Sequence, residues 1–309
     1  MLKNKISFFN TFNSKILFLI ILSTITLQTI YFIAFQNKHG ELGYTTESYY
    51  QDTAINLITY KSYSQGDPPI NTAHRPPLYP ITLAAIYTVI GEYPKLAIIV
   101  NNLFIIISLF TTYLIGKKIS YSIGIISAIL FALDPVIFVN ANRISAGSQY
   151  CMFISIFVYI TINNFDRNIT LKNSILSSLV LGLATFTRAL TLYISIPISI
   201  GIFVVQKYLI KNLNIRKTIY CILIFISIQI LIIGIWTIRN YQQTDNLTYA
   251  SMTSTHLGGY FIPLIISEKK NISYEDGQKE FKDIIEKDNY SNVSDNKKHK
   301  IVTNRSIEI

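Results

Sequence analysis

"ILFLIILSTITLQTIYFIAF", Ile16 to Phe35, carries no charge and matches the roughly 20 residues a helix needs to cross a bilayer. Lys3, Lys5 and Lys15 precede it as they would precede a signal peptide. Its length and the lack of a small-x-small cleavage site make it an uncleaved anchor instead. The rest of the chain agrees: of 309 residues, 50% are hydrophobic and 14% charged. The apolar residues come in long runs, which is the pattern of a membrane protein.

Working outward, further apolar runs cover Leu96 to Ile115, Ile123 to Val139, Gln149 to Ile162, Ser174 to Phe186, Leu192 to Val205 and Ile219 to Ile238. Leu78 to Ile90 is shorter and suits an interfacial or re-entrant helix better than a span. Basic residues decide the parity, because cytoplasmic connections carry excess Lys and Arg. With the N-terminus inside and Leu78 to Ile90 not crossing, Lys117 and Lys118, then Arg167 and Lys172, then Lys207, Lys211, Arg216 and Lys217 all fall in the cytoplasm. The expected fold is all-α: a polytopic membrane bundle of about seven spans, one interfacial helix and polar outer-face loops. Residues 1–238 form the transmembrane region, including an outer loop over 36–77, and residues 239–309 form a polar outer-face tail.

The net charge of +10 is thereby assigned to topology, and nucleic acid is not expected as a partner. Cys151 and Cys221 sit in apolar runs and read as packing residues. His39, His74, His256 and His299 are scattered, so no metal is expected. No G-x-G-x-x-G, Walker lysine motif or Asp-x-Asp pair is present, and no other cofactor is called for. A G-x-S-x-G elbow is also missing, which removes support for a serine hydrolase. In the tail, Tyr274 to Lys287 is a helical candidate with Phe281, Ile284 and Ile285 on one face, and "DNYSNVSDNKKHK", Asp288 to Lys300, reads as flexible loop.

Chemistry-bearing residues gather on the expected outer side. In "YTTESYYQDTAINLI", Glu47, Tyr50 and Ala54 share helical spacing and Asp52 lies nearby. A carboxylate there suits a general base toward an acceptor hydroxyl, and the same stretch also suits a solvated interfacial helix. In "TAHRPPLYPI", Thr72 to Ile81, the prolines hold Arg75 at the membrane boundary, as a headgroup anchor or a phosphate ligand. Arg188 and Arg239 also fall at outer ends of spans, against the positive-inside bias, and the three arginines suggest an anionic ligand such as a lipid phosphate. Asp134 and Arg143 lie at membrane depth, where they either serve a functional site or pair with each other to set packing.

"TESYYQDTAINLI", "HRPPLYPITLAAIYTVIGEYPKLAIIVNNL", "LIGKKISYSIGIISAILFALDPVIF", "SQYCMFISIFVYI", "GLATFTRALTLY" and "WTIRNY" resemble, in that order, the multi-spanning GT-C glycosyltransferases. The likeness is nearest to bacterial relatives of protein O-mannosyltransferases and of the transferase that adds aminoarabinose to lipid A. It runs to about Tyr260. The resemblance implies an inverting transfer of a sugar from a polyprenyl-phosphate donor to a lipid, glycan or protein acceptor on the exterior face of a bacterial inner membrane. Glu47 would be the catalytic base. Tyr50, Asp52, Arg75, Tyr79, Asp134, Arg143, Gln149, Arg188, Arg239 and Asn240 would contact substrate.

Two acids of the family pattern differ here: Thr46 stands at the first position of the usual Asp-Glu pair, and Gln149 at the Glu of Ser-Glu. Relatives also continue through more spans, whereas this chain stops at "VTNRSIEI", as an N-terminal portion would. The competing expectation is a catalytically inactive or truncated member that binds a polyprenyl-phosphate lipid. A flippase-type transporter ranks behind both, because no paired interrupted helices mark an inverted repeat.

Overall fold

In a computed structural model the described residues are 2–35, 44–163, 169–210, 213–252, 256–292 and 295–309. Side chains of 2–14, 44–47, 209, 292, 295, 296 and 299 fall outside that description, as do the whole residues Lys38, His39, Arg167 and Lys211. The architecture is all-α, and two strands of two residues each make the one sheet among the described residues. Three helices are long and apolar enough to cross a membrane: α1 (Leu2–Phe35) through its Lys15–Ala34 part, α4 (Pro94–Lys117) and α10 (Ile215–Thr244).

The chain forms two compact units. One comprises Met1–Ile70 and Pro77–Ile233, and the other Asn71–Pro76 and Gly234–Ile309.

The first unit holds α1 and α2 (Tyr44–Thr59), then α3 (Leu78–Ile90), α4, α5 (Tyr121–Ala132), α6 (Pro135–Ala141), α7 (Gly147–Ile162), α8 (Leu171–Thr187), α9 (Ser195–Leu209) and the start of α10. Helix α4 packs against both α5 and α7, α7 packs on α8, and α2 packs on α3. Apolar side chains left exposed on α1, such as Phe18, Leu22 and Ile30, are the surface a helix presents to lipid.

Close backbone approach builds the α4–α5 hairpin. A Cβ on Gly116 would meet Ser127 Oγ at 2.7 Å and Ile123 O at 2.9 Å, and one on Gly124 would meet Tyr113 O at 3.0 Å. Small residues allow such crossings where lipid supplies no hydrophobic drive between helices. Hydroxyls do related work between α8 and α10: Ser178 Oγ donates to Phe225 O at 2.7 Å, Gln229 Nε2 donates to Ser178 Oγ at 2.9 Å, and Ser174 donates to Cys221 O. Cys151 and Cys221 are free thiols, and Cys221 is buried in this packing.

Ile123 to Val139 was expected as one span, and the structure corrects this: α5 and α6 meet at a 59° bend. Pro135 cannot donate to the preceding turn, and Asp134 restarts the helix by accepting from Val136 N at 2.8 Å and Ile137 N at 3.4 Å. Read as one broken span, this pair would be a fourth crossing segment by length and composition. Helices α3, α7, α8 and α9 are apolar but shorter.

The second unit contains the Gly234–Thr244 end of α10, a π-helical turn at Leu257–Phe261, α11 (Ile262–Lys270), α12 (Tyr274–Glu286) and α13 (Asp295–Glu308). Helix α12 realises the expected amphipathic face: Phe281 and Ile285 are buried with Ile262, Ile266 and Val302, and Ile284 packs at the edge. Its start is set by Ser273, whose Oγ accepts from Asp276 N at 3.1 Å. The expected flexible loop from Asp288 to Lys300 is corrected in part, since α13 begins within it at Asp295. Val302 closes the apolar cluster, and Arg305 grips Asp288 through two N–H donors at 2.7 and 2.8 Å. Those contacts order a stretch whose composition is that of a solvated loop.

Candidate functional site

The helix expected around Glu47 forms as α2. Tyr50 and Ala54 turn into the protein, with 4% and 0% exposure, and Tyr50 meets Tyr79 of α3 edge to face at 4.9 Å. Glu47 lies one turn before Tyr50 in α2, and its side chain is outside the described residues. Asp52 sits on the exposed side of the same helix, where partial burial still raises its carboxyl above the ordinary range.

From Tyr79 a chain of buried polar groups runs into the bundle. Asn101 Nδ2 donates to Tyr79 OH at 2.9 Å and to Arg143 O at 2.7 Å. Its neighbour Asn102 donates from Nδ2 to Ile98 O at 2.9 Å and Ala141 O at 3.4 Å. Asn142 Nδ2 donates to Gln28 Oε1 and to Phe138 O at 3.0 Å, and Gln149 Nε2 donates to Thr82 Oγ1 at 2.9 Å. The short turn joining α6 to α7 and the first turn of α7 are thus held by α1, α3 and α4 at once. Each amide spends its N–H donors on protein.

The acceptor oxygens are left over. Asn101 Oδ1, Asn102 Oδ1, Asn142 Oδ1 and Gln149 Oε1 are buried without a hydrogen-bond partner, as are Ser145 Oγ and the Tyr87 hydroxyl. A buried unsatisfied oxygen costs about 1–3 kcal/mol, so such a cluster favours hydroxyl or water donors. Burial, and secondarily Glu92, pushes the Tyr87 hydroxyl up to about 12, so it stays protonated at neutral pH.

Cationic groups stand at the same turn. Helix α7 opens at Gly147 with no side-chain cap from Ala146, leaving its first backbone N–H groups available to an anion. Arg143 precedes this start by one turn, is half-buried, and has no ion-pair or side-chain hydrogen-bond partner among the described residues. Arg188, exposed at the end of α8, carries its guanidinium 6.0 Å from the ring centre of Tyr150 in α7. Groups that can donate to an anion and groups that can accept from hydroxyls thus sit on neighbouring residues of the α6–α7 connection and the first turn of α7, a combination suited to a phosphorylated, hydroxyl-rich ligand.

Of the sequence candidates, Tyr50, Tyr79, Arg143, Gln149 and Arg188 come together in this way. Asp134 does not join them. It caps α6, and no ion pair links it to Arg143, so the packing alternative for that pair gives way to capping. Arg75, Arg239 and Asn240 belong to the second unit. There Arg239 Nη1 donates to Thr72 O at 2.7 Å and to Asn240 Oδ1 at 3.1 Å, and its guanidinium lies 5.0 Å from the Trp236 ring centre. Asn240 is fully buried and donates to Thr248 O at 2.9 Å and Tyr249 O at 3.0 Å. The "WTIRNY" motif thus fastens two chain segments to the end of α10.

Sequence reasoning missed Gln28, Thr82, Asn101, Asn102 and Asn142. The available signal was an Asn pair inside the apolar run "AIIVNNLFIIIS", since amides at membrane depth need partners. Among the described residues, no group of three His, Cys, Asp or Glu side chains is placed to hold a metal ion. Neither protein-family models nor curated proteins give a match to this chain.

Proposed function

We propose that the chain is a membrane glycosyltransferase of the GT-C kind, moving a sugar from a polyprenyl-phosphate donor to an acceptor on the exterior face. The observation that carries this reading is the convergence, within one unit, of residues from three separate sequence stretches near the start of α7: Tyr50, Tyr79, and Arg143 with Gln149. Arg143, Arg188 and the open N–H groups of α7 would stabilise the departing carrier phosphate. The orphaned amide oxygens would accept hydroxyl protons of the sugar. Glu47 would take the proton from the acceptor hydroxyl as its oxygen bonds to the anomeric carbon and the carbon–oxygen bond to phosphate breaks, with inversion.

The proposed topology has about seven crossings, with α3 at the interface and the α2–α3 side facing outward in a bacterial inner membrane. Helices α7, α8 and α9 are short for a span and would cross with help from flanking residues or a thinned bilayer.

Gln149 favours a second reading, a non-catalytic binder of the same lipid. It stands where the resemblance expects an acid, is buried, and its amide already holds Thr82. Transfer of radiolabelled sugar from native polyprenyl-phosphate donors, in membranes holding the chain or its Glu47→Gln variant, separates the two. The transferase reading expects transfer that drops about 10²–10⁴-fold in the variant, the usual worth of a general base. Equal transfer by both removes Glu47 from the mechanism. No transfer by a correctly inserted chain, with a full-length relative active on the same donors, leaves the binder.

A further inference from the structure

The second unit carries a surface that its own core does not explain. Along the π-turn and α11 the exposure alternates in pairs: Tyr260 and Phe261 exposed, Ile262 and Pro263 buried, Leu264 and Ile265 exposed, Ile266 and Ser267 buried. Ile262 and Ile266 of the buried pairs enter the cluster with Phe281, Ile285 and Val302. The exposed pairs leave Tyr260 at 61%, Phe261 at 58%, Leu264 at 48% and Ile265 at 41%. A helix that is apolar on both faces is covered on both faces in its working state. Helix α12, beside it in the same cluster, differs in exposing charged side chains such as Lys279 and Lys282.

What covers the free face follows from where the chain holds it. The end of α10 belongs to the same unit and exposes Ile235, Ile238 and Tyr241 beside the Trp236–Arg239 pair, the composition of a span reaching the headgroups. Arg239 binds Thr72 O, and the next residues of that segment, Ala73 and His74, accept backbone hydrogen bonds from Ser251 N at 2.9 Å and Met252 N at 3.1 Å. Met252 is therefore held beside the segment that Arg239 anchors. Four Cα–Cα steps separate it from His256, at most about 14 Å of chain. The π-turn and α11 thus start close to the level at which α10 leaves the hydrocarbon. Tyr and Phe lead the face, as aromatic side chains do in helices that lie in a bilayer interface, while Lys269 and Lys270 at its end are held by Ile309 O and Glu280. A patch of four side chains also falls short of the about 800 Å² per partner of a stable protein interface.

We infer that Tyr260, Phe261, Leu264 and Ile265 form a membrane-docking face that lies in the lipid headgroup and upper acyl region beside the exit of α10. The inference rests on α10 crossing the membrane and is independent of sugar transfer. The test uses the full chain, with Cys151 and Cys221 replaced by Ser, in vesicles of phosphatidylcholine and phosphatidylglycerol. A nitroxide is attached at Leu264→Cys, at Phe261→Cys and, as an aqueous reference, at Lys282→Cys. Collision with lipid-soluble oxygen and with a water-soluble nickel chelate is then read by electron paramagnetic resonance. The oxygen-to-chelate ratio is expected to be severalfold higher at 261 and 264 than at 282. Ratios equal to that at 282 would overturn the inference. So would labels reached by neither reagent, which would mean a protein partner or a second copy covers the face. Two labelled positions guard against one variant failing to fold, and helical content and sealed insertion are checked for each.

Discussion

The two compact units solve the burial of polar groups in opposite ways. In the first, amides and hydroxyls hydrogen-bond inside an apolar bundle, and backbones touch at Gly116 and Gly124. In the second, a small apolar cluster is framed by charge, with ion pairs joining Lys270 to Glu280, Lys279 to Asp276, and Arg305 to Asp288 and Glu308. The difference follows from the solvent. Lipid gives no hydrophobic reward for bringing helices together, so close fit and internal hydrogen bonds hold them, whereas water rewards apolar burial and tolerates exposed charge.

The largest effect that would break this contrast comes from one glycine in each unit. A Cβ on Gly277 of α12 would lie 2.4 Å from Pro263 O, a backbone atom of α11. A Cβ on Gly116 would collide with the backbone of α5. Gly277→Val and Gly116→Val are each expected to cost about 1–3 kcal/mol by overpacking. Limited proteolysis should find the damage confined: Gly277→Val opens the tail after α10, and Gly116→Val loosens the α4–α5 hairpin and leaves the tail resistant. Opening of both regions by either change would show that they do not hold together independently.

A smaller effect comes from acid. The two hydrogen bonds from Arg305 hold the Asp288 carboxyl below its ordinary range, and Arg305 is correspondingly raised. A depressed carboxyl stabilises the folded state fully above its unfolded value of about 3.9 and loses that contribution as pH falls through the lower folded value. Hydrogen exchange in α13 should therefore speed up over that acid window, and Asp288→Asn should be faster at neutral pH and nearly flat across it. Exchange in the middle of α4, where Ile105 and Leu109 are buried in apolar packing, should not follow the same curve. If α13 keeps its protection in acid, the apolar cluster alone holds it.

Much of the fold is legible because the signals are local. Helix α3 occupies Leu78–Ile90, the range expected from its length, since Pro76 and Pro77 close the preceding loop and Gly91, at φ 94°, ends it. The inward side of α2 follows from the spacing of Tyr50 and Ala54. The bend between α5 and α6 was missed because hydropathy stays high across it, although "LDP" carries both the cap and the break. Helix α13 was hidden because Asn and Lys dilute the few apolar residues that dock it. The amide cluster was the hardest to read. In so Asn-rich a chain an Asn within a span looks like composition, and only the fold brings Asn101, Asn102 and Asn142 to one turn.

Both the transferase and the binder require the first unit to hold a polyprenyl phosphate, so that binding is the most direct measurement. Native mass spectrometry of the detergent-purified chain with polyprenyl phosphate, alongside Arg143→Gln and Arg188→Gln, reads it. The expectation is a bound lipid phosphate whose affinity falls roughly 10-fold or more when Arg143 loses its charge, in keeping with the worth of a charge-assisted hydrogen bond. Binding that is absent, or that is indifferent to both arginines, would contradict an anion site at the start of α7.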